Sequence, residues 1–321
     1  MNTANKRILI PIVAVMIIIC GVIGLFSSSA DVENTYYLVD LKGDLTNQQG
    51  IIQEQVLEGI VKVTDGGDSI AYMTSDDNNT VFHKYDITSQ KASGYDISSY
   101  LTLSYYDETS SSDKISISDF CCLGDKVYIL SDILSGKRLL IEIHPEEETA
   151  FISCYTDSDI FSVEVTPNGE NLILEERSDT GTSLFVYYTE LKECVLFENN
   201  AVDYKVSPDG RCYSYIKCSS YFSVDKTLII KNAESEEIVM QMPTRTDNGA
   251  LEEFGGYDFN LNGNSICYMV HEQKDSFWDL LLGKNQQQLR TKCYYADIET
   301  GNIERIYSTE WDNTLKSFFV D

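Results

Sequence analysis

Residues 204–216 read "YKVSPDGRCYSYI". Ser207-Pro208-Asp209-Gly210 sets a carboxylate beside a glycine, and Cys212 stands among aromatic residues, so the stretch could be a site or only a turn. With Gly210 as an anchor, Val206 lies four residues before it, and Tyr213 and Tyr215 lie three and five after it. The same offsets give Val63, Ile70 and Tyr72 around Gly67, and Phe120, Val127 and Ile129 around Gly124. They give Val165, Leu172 and Leu174 around Gly169, and Phe259, Ile266 and Tyr268 around Gly263. Three apolar columns recur in register, so the stretch is one copy of a repeat.

The unit has a physical reading. An apolar residue closes one strand, and Pro, Asp or Asn sets up a tight turn. Glycine then takes the positive φ that other residues resist. The positions three and five after it share one face of the next strand, because side chains alternate with period two. A second element follows each anchor: "VFHKYDITSQK", "LLIEIHPEE", "LFVYYTELKE", "TLIIKNAESEE" and "CYYADIETGNIERI" each read as strand, short polar turn, strand. Each unit therefore has four strands, and strand repeats of ~40–50 residues indicate propeller blades stacked around an axis. "YYLVDLKGDL" matches the second element and places Asp40 in a column with Asp86 and Asp297, which makes it a third strand. "NTLKSFFVD" reads as a first strand, so the two ends build a composite blade of three strands. The expected fold class is all-β, a β-propeller of six blades with seven as the alternative, preceded by one N-terminal transmembrane helix.

The "TPNG" and "SPDG" turns, followed by "NLILEE" and "CYSYIK", resemble the WD40-like repeats of TolB-type β-propellers. The resemblance covers the chain from Tyr36 onward. It implies the fold and little about function: propellers of this kind bind proteins and ligands, and some are domains of hydrolases.

The chain has 321 residues with 24 Lys+Arg against 51 Asp+Glu, a net charge of -27. So acidic a domain repels phosphate backbones, which excludes nucleic acid as a partner. Ile8 to Phe26 is an uncharged apolar run behind Lys6 and Arg7. A run near ~20 residues spans a bilayer, and the flanking charge puts residues 1–7 in the cytoplasm and the rest outside. The expected organisation is a cytoplasmic N-terminus over 1–7, an anchor over 8–26, a linker over 27–35 and an extracytoplasmic propeller over 36–321. A cleaved signal peptide, with Ser28 and Ala30 before the cut, is the alternative. Eight cysteines follow the anchor segment, which permits disulfides outside the cell but equally suits buried thiols.

In a propeller the turns between strands one and two, and between three and four, share one face. The connections between strands two and three, and from blade to blade, share the other. Here the second set carries the length: 107–116, 175–183, 217–226, 243–256 and 270–290. Insertions gathered on one face of a repeat array mark a binding face. Ser276 ahead of "FWDLLL", with Asp279 three residues on, reads as a capped helix start. Trp278, Phe277, Tyr221, Phe222 and Arg245 are the candidate binding residues on this face. If "YYLVDL" is a third strand, the linker also leaves from this face and brings it toward the membrane.

Catalytic and metal motifs do not carry through. "HEQKD" at His271 has Asp275 where a zinc-protease helix needs its second histidine. Asp258 to Gly263 opens like a Ca²⁺ loop, but Met269 stands at its twelfth position. "SSDK" and "SVDK" lack the companion motifs of serine acyltransferases. No cofactor, no metal and no catalytic residue is expected. The expected function is a membrane-anchored binding or scaffolding module for a protein or cell-envelope ligand, with a membrane-bound protein among the expected partners. The alternative is a propeller glycosidase or other hydrolase with carboxylates at the channel mouth.

Overall fold

The computed structural model describes residues 36–321, apart from 41, 48, 77–78, 103–114, 133–137, 157–158, 179–180, 219–225, 245–251, 275–287, 311–314 and 321. Residues Tyr36–Asp321 form one compact unit. The chain begins blade 1 with β1 (Tyr36–Asp40), β2 (Leu45–Asn47) and β3 (Gly50–Gln53). Blade 2 is β4 (Val56–Thr64), β5 (Ser69–Ser75), β6 (Thr80–Asp86) and β7 (Lys91–Asp96). Blade 3 is β8 (Ser116–Leu123), β9 (Lys126–Asp132), β10 (Arg138–His144) and β11 (Thr149–Thr156). Blade 4 is β12 (Ile160–Val165), β13 (Leu172–Ser178), β14 (Gly181–Tyr188) and β15 (Glu193–Asn199). Blade 5 is β16 (Ala201–Val206), β17 (Cys212–Cys218), β18 (Lys226–Asn232) and β19 (Ile238–Pro243). Blade 6 is β20 (Glu252–Phe259), β21 (Ser265–Lys274), β22 (Gln288–Asp297) and β23 (Ile303–Ser308). The last strand, β24 (Leu315–Val320), returns to blade 1 as its first strand, in the order β24-β1-β2-β3.

The fold is thus the expected six-bladed propeller, closed by both ends of the domain. The composite blade differs in detail from its sequence reading. It has four strands, and β1 is its second strand, pairing Leu38 with Phe318 of β24 and with Thr46 of β2. Asp40 accepts the backbone N–H groups of Lys42 and Asp44 at the end of a second strand. Asp86 and Asp297 instead close third strands by accepting from Ser89 and Thr300. A carboxylate that caps a turn looks the same in sequence whichever turn it caps. The consequence is geometric: Tyr36 pairs with Val320, so the chain enters the ring on the face of the glycine turns, not on the long-connection face.

The repeat columns explain the packing. Every residue three and five after an anchor glycine is buried: Ile70 and Tyr72, Val127 and Ile129, Leu172 and Leu174, Tyr213 and Tyr215, Ile266 and Tyr268. In each blade this pair shares one apolar cluster with the residue four before the anchor. Each cluster is completed by the facing side of the previous blade. Between blades 2 and 3, for example, Ala71, Met73 and Phe82 meet Phe120, Val127 and Ile129. A sixth cluster joins Cys267, Met269 and Cys293 of blade 6 to Leu38, Phe318 and Val320 of blade 1, closing the ring. One blade cannot bury both faces alone; six in a ring can.

The "SPDG" segment is a turn. The Gly210 N–H donates to the Ser207 carbonyl at 2.8 Å, and the Ser207 N–H to the Cys212 carbonyl at 2.9 Å. The Thr166 and Asn260 turns repeat both bonds. Gly210 sits at φ 69° and Gly263 at φ 73°, where a side chain is strained. The connections between strands two and three lengthen from Ser178–Gly181 in blade 4 to Lys274–Gln288 in blade 6. Segment 175–183, expected as a long loop, is mostly strand. His271 lies in β21 and not on a helix.

Candidate functional site: the charged axis

The innermost strands β4, β8, β12, β16, β20 and β24 surround the axis, and each pairs with its neighbour through a register shift. Such bulges re-aim side chains and cluster at functional rims. Five of these strands place a charged residue one position ahead of the apolar column: Lys62, Asp119, Glu164, Lys205 and Asp258. Each stands five residues before its anchor glycine. Phe319 has the corresponding register in β24, where its partner is Tyr37. Ion pairs link these residues in two groups. Lys62 Nζ reaches Asp119 at 3.4 Å and Glu164 at 3.2 Å, and Lys205 Nζ reaches Asp258 at 3.3 Å. Asp119 also accepts the Val163 N–H at 2.9 Å.

Burial and pairing act against each other here. Burial alone lowers the Lys62 ammonium's pKa, but the facing carboxylates of Asp119 and Glu164 outweigh it and hold it above the ordinary lysine range. Lys205 follows the same logic, with Asp258 and Asp203 overcoming its burial. Burial pushes Asp119 up, with Lys62 opposing.

Asp203 is the exception in this ring. It bulges out of β16, where pairing skips from Val202–Ile216 to Lys205–Ser214, and its φ is 54°. Neighbouring blades pin its backbone from both sides. The Asp203 N–H donates to Glu175 Oε2 at 2.7 Å, and the Tyr257 hydroxyl donates to the Asp203 carbonyl at 2.5 Å. Glu175 is itself buried and held by Arg177 Nε at 2.8 Å. A non-glycine residue in this conformation is strained, and it persists because its surroundings over-determine it. Burial raises the Asp203 carboxyl to about 6, with Glu175 and Asp258 adding to the effect and Lys205 opposing it. Among the described residues no lysine or arginine forms an ion pair with this carboxylate.

Several cavities lie along this axis, two of them sharing Lys62, Glu164, Lys205 and Asp258. One of about 300 Å³ is lined by Asp119, Glu164, Asp203, Lys205 and Asp258. The other, about 270 Å³, lies under the glycine turns and shares Lys62, Glu164, Lys205 and Asp258. The turns converge over it. A methyl group on Gly210 would meet the Pro167 carbonyl at 2.6 Å, and one on Gly67 the Leu261 carbonyl at 2.0 Å. The opening "SPDG" is therefore part of the channel's rim. Among the described residues no three His, Cys, Asp or Glu side chains converge to hold a metal ion. The eight cysteines among the described residues carry free thiols, four of them buried.

Trp278, Phe277, Tyr221, Phe222 and Arg245 all lie outside the described residues, as do the segment 8–26 and the helix start at Ser276. Among the described residues no helix is long and apolar enough to cross a membrane. Sequence reasoning missed the axial ring, although its signal is there: the residue before the apolar column is charged at every one of the five anchors. Asp203 has no comparable signal, because its role comes from a bulge.

The six-bladed ring, closed by strands from both ends of the domain, resembles TolB-type β-propellers in fold. The solved TolB of Acinetobacter baumannii is similar to this chain over 88% of its length, with a TM-score of 0.51 and 13% identity. The chain spans 66% of that protein. The structure described as a putative TolB from Agrobacterium tumefaciens matches 89% of the chain and 96% of its own, with a TM-score of 0.51 and 10% identity. At such identities the likeness is one of fold. No family model and no curated protein compared with the chain matches it.

Proposed function

We propose that this chain is a membrane-anchored, extracytoplasmic propeller that binds a protein or cell-envelope ligand. The observation that carries the reading is the lysine pairing on the axis. A glycosidase needs two carboxylates free to serve as acid and as base or nucleophile. Four carboxylates do converge on this channel, but Asp119 and Glu164 share an ion pair with Lys62, and Asp258 is paired with Lys205. Paired charges of this kind make a polar axis without a free acid and base, which favours binding over hydrolysis.

The long-connection face, with Trp278, Phe277, Tyr221, Phe222 and Arg245, is the recognition surface we propose. Its support is the partition of connection lengths between the two faces. The described chain enters the ring at Tyr36 on the glycine-turn face, opposite the long connections. Affinity capture from membranes with the full chain tests the reading. Trp278→Ala should weaken the capture of a partner while the melting temperature stays within a few degrees; an unchanged capture profile would count against it. Labelling of the exposed Cys194 thiol by a membrane-impermeant maleimide in intact cells, absent in Cys194→Ala, tests the location.

The hydrolase reading keeps one foothold, the raised carboxyl of Asp203, which suits a general acid. It requires turnover of a chromogenic glycoside or ester that Asp203→Asn abolishes, and it falls if the wild-type chain turns over none.

A further inference from the structure

The axial cavity of about 300 Å³ holds one charged group that the ring leaves unmatched. Asp119 and Glu164 face Lys62, and Asp258 faces Lys205. The Asp203 carboxylate accepts no hydrogen bond and joins no ion pair among the described residues; only its backbone is held. Asp203 is partly exposed, and neither carboxylate oxygen is sealed in protein as the Tyr204 hydroxyl is. It lines both this cavity and a neighbouring one of about 240 Å³, where Gly255 and Gly256 leave the wall bare of side chains. β4 and β20 put glycine at positive φ beside their own register shifts, Gly59 at 68° and Gly256 at 126°. At the shift in β16 the chain puts aspartate at φ 54°, where glycine would sit without strain. The strained position thus keeps a carboxylate turned to open space.

We propose that this axial cavity binds a small ligand through a guanidinium group seated on Asp203. Charge selects a cation: the carboxylates of Asp119, Glu164, Asp203 and Asp258 line the cavity against the ammoniums of Lys62 and Lys205 alone. Lys205 attracts Asp203 from a distance but is engaged by Asp258 at 3.3 Å, so both Asp203 oxygens stay open. Geometry selects the guanidinium. A carboxylate with both oxygens free takes the two parallel N–H groups of a planar fork, whereas an ammonium offers a single point. Among the described residues no three acidic, cysteine or histidine side chains converge, so a bare metal ion would find one carboxylate where it needs several oxygens. An anion would meet the excess of carboxylates, and an apolar ligand would bury Asp203 without a partner. Glu175 and Tyr257 pin the bulge before any ligand arrives, so binding has little left to order. The site lies on the axis, apart from the long-connection face, so its test and the capture test fail independently.

The test is thermal unfolding of the full chain at pH 8 with ethylguanidinium, against its neutral isostere ethylurea and against propylammonium. A ligand that binds only the folded state raises the melting temperature, so a saturable rise below about 10 mM ethylguanidinium is expected, and none with ethylurea. Propylammonium should need a concentration about fivefold higher or more, since it cannot form the fork. Asp203→Asn should abolish the rise, and its melting temperature without ligand reports that it folds. Asp203→Gly, which takes the same φ without strain, should abolish it as well. Glu304→Gln removes an exposed acid of the outer strand β23 and should leave the rise unchanged, which separates the site from general attraction to an acidic protein. No rise in the wild type, an equal rise with ethylurea, equal potency of propylammonium, or a rise that survives in both Asp203 variants would each overturn the proposal.

Discussion

The seams between blades and the axis they surround use adjacent positions of the same strands with opposite chemistry. One residue, such as Phe259, turns into a seam and is fully buried among apolar neighbours. The residue before it, Asp258, turns to the axis and pairs with Lys205. The seam is held by area, which is non-directional and insensitive to pH. The axis is held by matched charges, which lose their balance if one member is removed. The rim of glycine turns belongs to neither, because it is held by backbone geometry.

The rim should give the largest effects, and it offers an internal control. Gly67→Ala imposes a side chain at φ 104° with its Cβ 2.0 Å from a backbone carbonyl. Strain and forced displacement together should cost about 3–5 kcal/mol. Gly124→Ala, in the same column at φ 63° but with open space around it, should cost only about 1–2 kcal/mol. Urea unfolding of the two variants separates the contact from the dihedral. Equal losses would mean that the rim does not close as described.

In the seam, Phe259→Ala should cost about 3–5 kcal/mol by cavity formation. The loss should be the same at pH 5 and pH 8, because no titrating group touches the term. On the axis, Lys62→Met should cost about 3–5 kcal/mol at pH 8, since Asp119 and Glu164 would be left buried without a cation. Here the loss should shrink as the pH falls and Asp119, already raised by burial, takes up its proton. Adding Asp119→Asn and Glu164→Gln to Lys62→Met should recover most of it. A pH-independent loss for Lys62→Met would remove the distinction between axis and seam.

The same distinction explains what could be read from the chain alone. Seam positions were legible because burial selects one side-chain class at one spacing, so Ile70, Val127, Leu172, Tyr213 and Ile266 line up by hydropathy. The axial ring is only half visible in that way. It mixes Lys, Asp and Glu, and a column of mixed sign averages to an ordinary polar surface unless charge itself is tracked. The composite blade misled for a third reason. Asp40 caps a turn as Asp86 does, but hydrogen-bond capping is local and carries no information about which strand precedes it. Asp203 was beyond reach of pattern altogether. Its position depends on Glu175 from one blade and Tyr257 from another, which no spacing within β16 can reveal.

Asp203 also supplies the smallest and most discriminating prediction. Its carboxyl titrates near pH 6 in the folded chain, above the ordinary aspartate value, because burial disfavours the charged form. A carboxyl raised by folding binds its proton more tightly in the native state. Its stabilising contribution is therefore complete below pH ~4, is lost as the pH rises through about 6, and leaves a constant penalty above that. Asn at this position keeps the shape, tolerates positive φ and has no charge to bury. Asp203→Asn should then be about 1–3 kcal/mol more stable than the wild type at pH 8 and no more stable at pH 4. If the carboxylate instead serves a cationic group of the ligand, the same variant should lose capture at pH 8 while gaining stability. A variant that gains stability and keeps its partner would place recognition entirely on the long-connection face. One that gains stability and loses its partner would mark the strained bulge as a point where stability is given up for binding.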